Sequence, residues 1–396
     1  MIDGLGDEKI PLLSYKTPLE AAQKPHFDFL IKNGIGGLVE PFYLKNQIPT
    51  SEDCHLALFG YNPLKHNPGR GVLEALGLGL KIKKDDLCFR GNFATVNENF
   101  KIIDRRAGRI NETESLIKSL NRLRIKQFKN ISFFLKKTFG HRFVFVLRGK
   151  NLSEKVTSND PKKNNEFVLE IKPQIKKAKM TALFLNEFLK KSHLLLKNHP
   201  FNKKRKLPAN FLLLRGAGKL KKVEKFERKY GLKACVIAGG TLYKGIGVYL
   251  GMKNIKVSGA NGMKNTNLKG KVIAARKSLK NYDFVFLHIK ATDTFAEDGD
   301  FKGKKAFIEK IDRNLKELLF LRDVVIIITG DHSTCSLLKS HCSLPNPLLV
   351  FGLGKDKVSS FSERACREGA LGKIPQLQVL KTIFKKIKEN RSKTEN

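Results

Sequence analysis

Two short stretches hold most of the groups able to do chemistry. One is Ser51-Glu52-Asp53-Cys54-His55, inside PTSEDCHLALFGYNP at 49–63; the other is Gly330-Asp331-His332-Ser333-Thr334, inside TGDHSTC at 329–335. Each packs hydroxyl, carboxylate and imidazole into a few residues, as two halves of one metal site would. Asp331 and His332 follow the apolar run VVIII at 324–328, and Asp293 follows DFVFLHIKAT at 283–292. Glu297 comes four residues after Asp293, so on a helical first turn both carboxylates share a face and can grip one ion. His341 precedes the proline-broken segment SLPNP, and Asp3 sits in DGLGD, whose glycines allow close backbone approach. Each of these alone also reads as a helix-capping Asp or a hydrogen-bonded His. Gathered on one sheet edge, the like charges need a cation. A serine beside two divalent ions gains an alkoxide-like oxygen. Such a pair of ions suits in-line displacement at phosphorus, with Lys and Arg on the nonbridging oxygens.

The elements that must position these residues follow from the apolar pattern. Asn210–Leu214, Ala234–Ala238, Asp283–Ile289, Val324–Ile328 and Leu348–Phe351 read as buried parallel strands. Helical patterns at Lys304–Leu321 and Gln376–Glu389 alternate with them, which predicts an α/β fold with a mostly parallel sheet. The polar clusters RGAG, GG, KATD and TGDHST follow strands, so the sheet's carboxyl ends are expected to gather them. Between Leu76 and Lys163 the pattern changes to short strand-like pieces around a basic helical stretch at 114–137, an α+β insertion. The predicted organisation is a core of residues 1–75 and 164–396 with a smaller inserted domain at 76–163.

Composition narrows the function classes. The chain has 396 residues with 76 Lys+Arg against 37 Asp+Glu, a net charge of +39. That excess fits a nucleic-acid partner or a solvated lysine-rich surface. The spread of lysines and the lack of zinc-finger spacing or an RNP signature favour the second. No apolar run approaches the roughly 18–20 residues of a membrane span, and MIDGLGDEKI has no basic-then-apolar signal segment. Six scattered cysteines without a CxxC pair fit reduced thiols and a cytoplasmic protein.

An ordered series of blocks resembles the cofactor-independent phosphoglycerate mutases of the archaeal-type branch, in the alkaline phosphatase superfamily. It runs from DGLGD, TPLEAA, SEDCHLALFGYNP, GRGVLEALGLGL and FRGNFATV through DRRAGRI, HRFVFVLRG and PANFLLLRGAGK. It closes with KGIG, DFVFLHIKATD, TGDHST and HCSLPNPLLVFG. The resemblance implies an alkaline-phosphatase-like sheet with helices on both faces, and an inserted lid. It implies interconversion of 3-phosphoglycerate and 2-phosphoglycerate in glycolysis and gluconeogenesis, without 2,3-bisphosphoglycerate. Ser51 is then the nucleophile that carries the phosphate. One metal falls to Asp3, Ser51, Asp331 and His332, and the other to Asp293, residue 297 and His341. Closure of the smaller domain separates a mutase from a phosphatase. Arg106, Arg109, Arg148, Arg215 and Lys244 lie in matching blocks, as grips for phosphate or carboxylate or as surface ion pairs. His141 is a proton donor in the lid or a loop residue, and His55 orients the serine loop or makes a structural hydrogen bond.

Two departures stand out. The family usually has histidine where this chain has Glu297. That gives an oxygen-rich site suited to Mn²⁺ or Mg²⁺ rather than Zn²⁺, with Asp298 as the alternative ligand. The family also leads into the Asp-Gly turn with an apolar strand, whereas here MIDGLGD supplies almost none of it. A start codon placed too late would explain it; if the short form is real, poor folding and weak metal binding at Asp3 are expected. Two other readings stay open: a metal-dependent phosphatase or phosphotransferase of the same superfamily, and a basic nucleic-acid-binding protein on a degenerate enzyme scaffold.

Overall fold

The computed structural model describes residues 1–394 apart from Asn46. It falls into two compact units, Met1–Asn67 with Val223–Asn396, and Pro68–Lys222. The insertion is therefore longer at both ends than the expected 76–163. The cause is pairing. The segment expected as a core strand, Asn210–Leu214, belongs to Phe211–Lys219, which runs antiparallel to Leu87–Val96 inside the second unit. RGAG is part of that strand and does not join the other polar clusters.

In the first unit, Lys253–Asn254, Ala234–Ile237 and Phe284–Leu287 form a parallel sheet. Ile326–Ile328, Asn346–Phe351, Gly34–Glu40 and Lys373–Pro375 form a second sheet in that order. Asn346–Phe351 runs antiparallel to both of its neighbours, so the sheet is mixed and the segment expected as a parallel strand is the exception. Residues 1–3 join the two sheets: Ile2 bridges Ile289 in parallel, and its amide donates to the Thr329 carbonyl at 3.0 Å.

Side chains alternate across this sheet, and each face has its own apolar layer. Leu38 and Leu349 pack with Phe27, Ile308 and Ile311, from the helices Pro25–Lys32 and Phe301–Leu315. Ile35, Val39, Leu348 and Val350 pack on the other side with Val379 and Ile383 of the helix Val379–Thr394. Helices on both faces explain why these strands read as continuous apolar runs. None of the described helices is long and apolar enough to cross a membrane.

The second unit is α+β. Leu87–Val96 lies between Arg142–Arg148 and Phe211–Lys219, all antiparallel, and all ten of its residues are buried. Phe89 and Phe93 enter a phenylalanine-rich core with Phe143, Phe145, Phe184 and Phe188, where the Phe145 and Phe188 rings stack at 4.5 Å. Cys88 faces the opposite way, toward Val72 and Ala75 of the helix Arg70–Gly77. Part of the expected helical stretch at 114–137 is a strand, Ser132–Lys137, because SFFLKK pairs antiparallel with Arg142–Arg148 at the sheet edge.

One buried ion pair pins the loops of the first unit. Lys304, fully buried, donates to Asp7 Oδ2 at 2.8 Å and to the carbonyls of Gly6 and Thr334 at 3.0 Å. Asp7 also accepts from the amide and hydroxyl of Ser336. Removing one partner strands a buried charge. Lys304→Met is expected to cost about 3–5 kcal/mol of unfolding free energy in urea. The double variant Asp7→Leu/Lys304→Met is expected to recover part of it; no recovery would show that the pair is not the cause.

Candidate metal centre and nucleophile

Ser51 opens the helix Ser51–Leu58, capped by the Thr50 side chain, which accepts from the Asp53 amide. Its hydroxyl is buried and lies 3.3 Å from His332 Nε2. Asp331 and His332 follow the strand Ile326–Ile328, Asp3 follows the bridge at Ile2, and Asp293 lies in the first turn of the helix Ala291–Glu297. The donor atoms of Asp3, Asp331 and His332 lie within 4.8 Å of one another, and so do those of Asp293, His332 and His341. His332 thus belongs to both groups. Gly4 makes this approach possible. Its φ is 61°, its amide donates to Asp331 Oδ1 at 3.1 Å, and a Cβ there would come within 2.5 Å of Thr334 Oγ1.

The electrostatics fit a cation site. Both oxygens of Asp3, Asp331 Oδ2, His55 Nε2 and both ring nitrogens of His288 are buried without hydrogen-bond partners. In a native core such orphaned atoms call for an ion or water. Burial raises the Asp331 carboxyl to about 7, with the Asp3 charge adding to it. Burial acts the same way on Asp3 and Asp293, but Lys290 together with His288 at Asp3, and with His341 and His332 at Asp293, outweighs it and holds both well below the usual carboxylate range. The Lys290 ammonium sits 2.5 Å from Asp293 and 3.7 Å from Asp3. Burial lowers the His332 imidazole to about 4, so its ring is neutral and able to donate a lone pair. His341 goes the other way. Burial opposes its charge, but the Asp293 carboxylate and the Pro49 carbonyl bring it up to about 9.

Glu297 is exposed at the end of its helix. Its carboxyl is raised first by desolvation and then by Asp293, so it feels the site. It stands outside both three-donor groups. Asp298 is committed to Lys264 at 3.1 Å. His55 makes the structural hydrogen bond, the second of its two readings: Nδ1 bonds the Ser51 carbonyl at 2.7 Å, and it lies 3.4 Å from Asp331 Oδ2.

Sequence reasoning missed His288 and Lys290. Both lie in HIKATD directly after a strand, where the alternation alone could have flagged them. It also missed a disulfide. Cys335 and Cys342 are joined, against the expectation of six free thiols, because the hairpin pairing of Ser333–Cys335 with Ser340–Cys342 brings them together. Their spacing of seven residues matches no motif, and neither is a free thiolate for a metal. Cys54 is buried and its thiol is pushed well up by burial.

Arg106, Arg109, His141, Arg148 and Arg215 all lie in the second unit, and Lys244 is on the helix Thr241–Tyr249 of the first. Arg215 pairs in register with Arg90, and Arg142 with Asn92 of the same strand. Arg70 and Arg90 share Glu74 at 3.2 and 3.4 Å. Burial and neighbouring arginines push Arg90 well down. Burial and then Arg142, Arg106, Arg90 and Arg215 push His141 down to about 3. His141 is therefore neutral near pH 7. Crowded arginines that depress one another mark a place for an anion. Arg70, Arg90 and Arg142 were not singled out in the sequence, since only the sheet register assembles them. Arg148 stands six residues from Arg142 on its strand, ~20 Å away at 3.3 Å per residue, bound through two nitrogens to Asp86 at 2.8 and 2.7 Å.

A metal entering the first unit must displace the protons held near neutral pH by His341 and Asp331. Mn²⁺ affinity of the apoprotein is therefore expected to rise with pH between 6 and 9, by up to about tenfold per unit for each proton released. Titration calorimetry showing pH-independent affinity would contradict this proton inventory.

The chain is similar to known proteins over nearly its whole length. The family model for 2,3-bisphosphoglycerate-independent phosphoglycerate mutase matches residues 32–202. A 2,3-bisphosphoglycerate-independent phosphoglycerate mutase of Archaeoglobus fulgidus is 44% identical, covering 96% of this chain and 95% of its own. One from Methanocaldococcus jannaschii is 42% identical over 97% and 95%. Among solved structures, a Pyrococcus horikoshii protein superposes with a TM-score of 0.82 at 34% identity, covering 98% of this chain and 96% of that one. The cofactor-independent phosphoglycerate mutase of Thermoplasma acidophilum superposes with a TM-score of 0.68 at 33% identity, covering 97% of both. With relatives this similar over nearly its whole length, the chain belongs to the 2,3-bisphosphoglycerate-independent phosphoglycerate mutases.

Proposed function

We propose that this chain interconverts 3-phosphoglycerate and 2-phosphoglycerate through a phosphoserine at Ser51. The observation that carries the reading is a buried serine hydroxyl at a helix N-terminus, 3.3 Å from His332 and set among orphaned carboxylate and imidazole atoms. In the first half-reaction Ser51 Oγ bonds to phosphorus as the bond from phosphorus to the 3-oxygen breaks, and the serine proton ends on the glycerate. In the second, phosphorus passes to the 2-oxygen and Ser51 regains a proton. No water enters the balance.

Asp3, Ser51, Asp331 and His332 would hold one divalent ion, and Asp293, His341 and Glu297 the other, with Mn²⁺ or Mg²⁺ suited to the oxygen-rich donors. When bound, the ions stabilise anionic oxygens at phosphorus. The chain's own groups do the rest. The N-terminus of the helix Ser51–Leu58 favours the anionic phosphoserine. His55 fixes the Ser51 carbonyl, and Lys290 keeps a permanent positive charge beside Asp3 and Asp293. The inserted unit is assigned the role of lid. Its arginines Arg90, Arg142 and Arg215 are assigned the substrate's anionic groups.

Phosphorus NMR of 3-phosphoglycerate with Mn²⁺, without bisphosphoglycerate, is expected to show 2-phosphoglycerate. The signal should vanish with EDTA and in Ser51→Ala. Free phosphate alone would make the chain a phosphatase, and no turnover would remove the mutase reading. Arg142→Gln is expected to raise KM about tenfold or more, as loss of one hydrogen bond to a charged group does, with a smaller change in kcat. An unchanged KM would take the arginine face out of substrate binding.

A further inference from the structure

The hairpin that carries His341 is held unevenly. Among the described residues its strands, Ser333–Cys335 and Ser340–Cys342, pair only with each other, three residues to three, with Thr334 opposite His341. The first strand is buried and anchored from outside: the Thr334 amide donates to the Gly6 carbonyl and the Thr334 carbonyl accepts from Lys304, both at 3.0 Å. Just past the second strand, the Leu344 carbonyl accepts from Ser333 Oγ at 2.8 Å. The second strand itself is partly exposed along its length. It is held by the short ladder, by His341 Nδ1 bonding the Pro49 carbonyl at 2.8 Å, and by the Cys335–Cys342 bond. A two-stranded pair this short is marginal on its own.

The cross-link closes around two residues that touch the same carboxylate. Thr334 Oγ1 donates to Asp293 Oδ1 at 2.8 Å, and His341 Nε2 lies 3.4 Å from that oxygen, its ring stacked on His332 at 3.7 Å. Of the donor group Asp293, His332 and His341, only His341 comes from the clamped strand. The sulfurs are also the accessible ones. Cys54, Cys88, Cys235 and Cys366 are buried thiols, all pushed up by burial and so poor nucleophiles. Cys335 is buried too, but Cys342 is partly exposed. A thiolate arriving from solution therefore meets the disulfide at Cys342.

We propose that the Cys335–Cys342 bond is a thiol–disulfide exchange site that sets how tightly His341 serves a cation, with a dithiol as its reaction partner. One thiolate of the dithiol attacks Cys342 Sγ, the bond between the two Sγ atoms breaks, and Cys335 leaves as a thiolate that takes up a proton. The second thiol of the partner then attacks the mixed disulfide, closes the partner's own disulfide and gives up its proton as Cys342 becomes a thiol. Two electrons and two protons pass to the chain, and the dithiol is oxidised to a disulfide. With the bond open, the strand that carries His341 regains conformational freedom, and binding a cation must order it again. Asp3, Ser51 and Asp331 lie outside the hairpin and keep their places. The inference rests on the reading of Asp293, His332 and His341 as a cation site.

The test titrates Mn²⁺ by calorimetry into the metal-free full chain in two states: air-oxidised, and reduced with dithiothreitol that is then removed under argon. The equivalent of Mn²⁺ that His341→Ala abolishes is expected to bind about tenfold weaker or more after reduction, a fraction of what a disulfide's constraint contributes to a fold. The other equivalent is expected to change less. Cys335→Ser/Cys342→Ser is expected to bind as the reduced chain does and to ignore dithiothreitol; should it not fold, the two states of the unsubstituted chain still decide. Equal affinity in the two states overturns the proposal and leaves the cation site standing. Peptide mapping that finds no link between residues 335 and 342 in the oxidised chain overturns it as well. An equivalent missing from both states removes the cation site and the proposal together.

Discussion

Three buried carboxylates that feel one another's charge set the terms for the first unit. Asp3, Asp293 and Asp331 arrive from different strand ends and repel each other by an amount on the order of a few kcal/mol per pair. A fold does not tolerate that unless positive charge is supplied. Lys290 supplies part of it from within the chain, at 2.5 Å from Asp293. The neutral imidazoles of His332 and His288 supply lone pairs rather than charge, which suits a cation brought from outside. The surrounding choices follow. Residue 4 must be glycine because a side chain would fill the space where the three acids meet, and Thr334 donates to Asp293 at 2.8 Å to fix its orientation.

The same constraint explains why the loops are tied so firmly. Lys304 binds DGLGD to the Ser333–Cys342 hairpin through Asp7, Gly6 and Thr334, and the Cys335–Cys342 disulfide closes that hairpin around His341. A hairpin held at both ends keeps His341 3.4 Å from Asp293. Ligands on mobile loops would separate under their own repulsion before a cation arrived. Placing them at strand ends and cross-linked turns makes the repulsion a property of a rigid frame.

How much of this could be read from residues alone differs by element. The donor set was legible because Asp and His stand directly after apolar runs, and local chemistry suffices to notice that. Ser51 stood out by its neighbours Glu52, Asp53 and His55 and by the family resemblance. Register was not. Asn210–Leu214 looks like a core strand because a strand buried on both faces has the same composition in either unit; only its partner, Leu87–Val96, decides where it belongs. The boundary of the insertion moved with it. The arginine face was invisible for a related cause: Arg90 and Arg215 are 125 positions apart in the chain, 215 minus 90, and become neighbours only through antiparallel pairing. Lys290 was overlooked because a lysine in a chain with 76 Lys+Arg carries little signal until its burial against two acids is seen.

The two units present opposite forms of one electrostatic problem. The first buries acids that require cations. The second gathers Arg70 and Arg90 around Glu74 and Arg105 and Arg215 around Asp160, beside a histidine driven neutral. The net charge of +39 is a poor guide to any of this, because the charges that matter are the few that are buried.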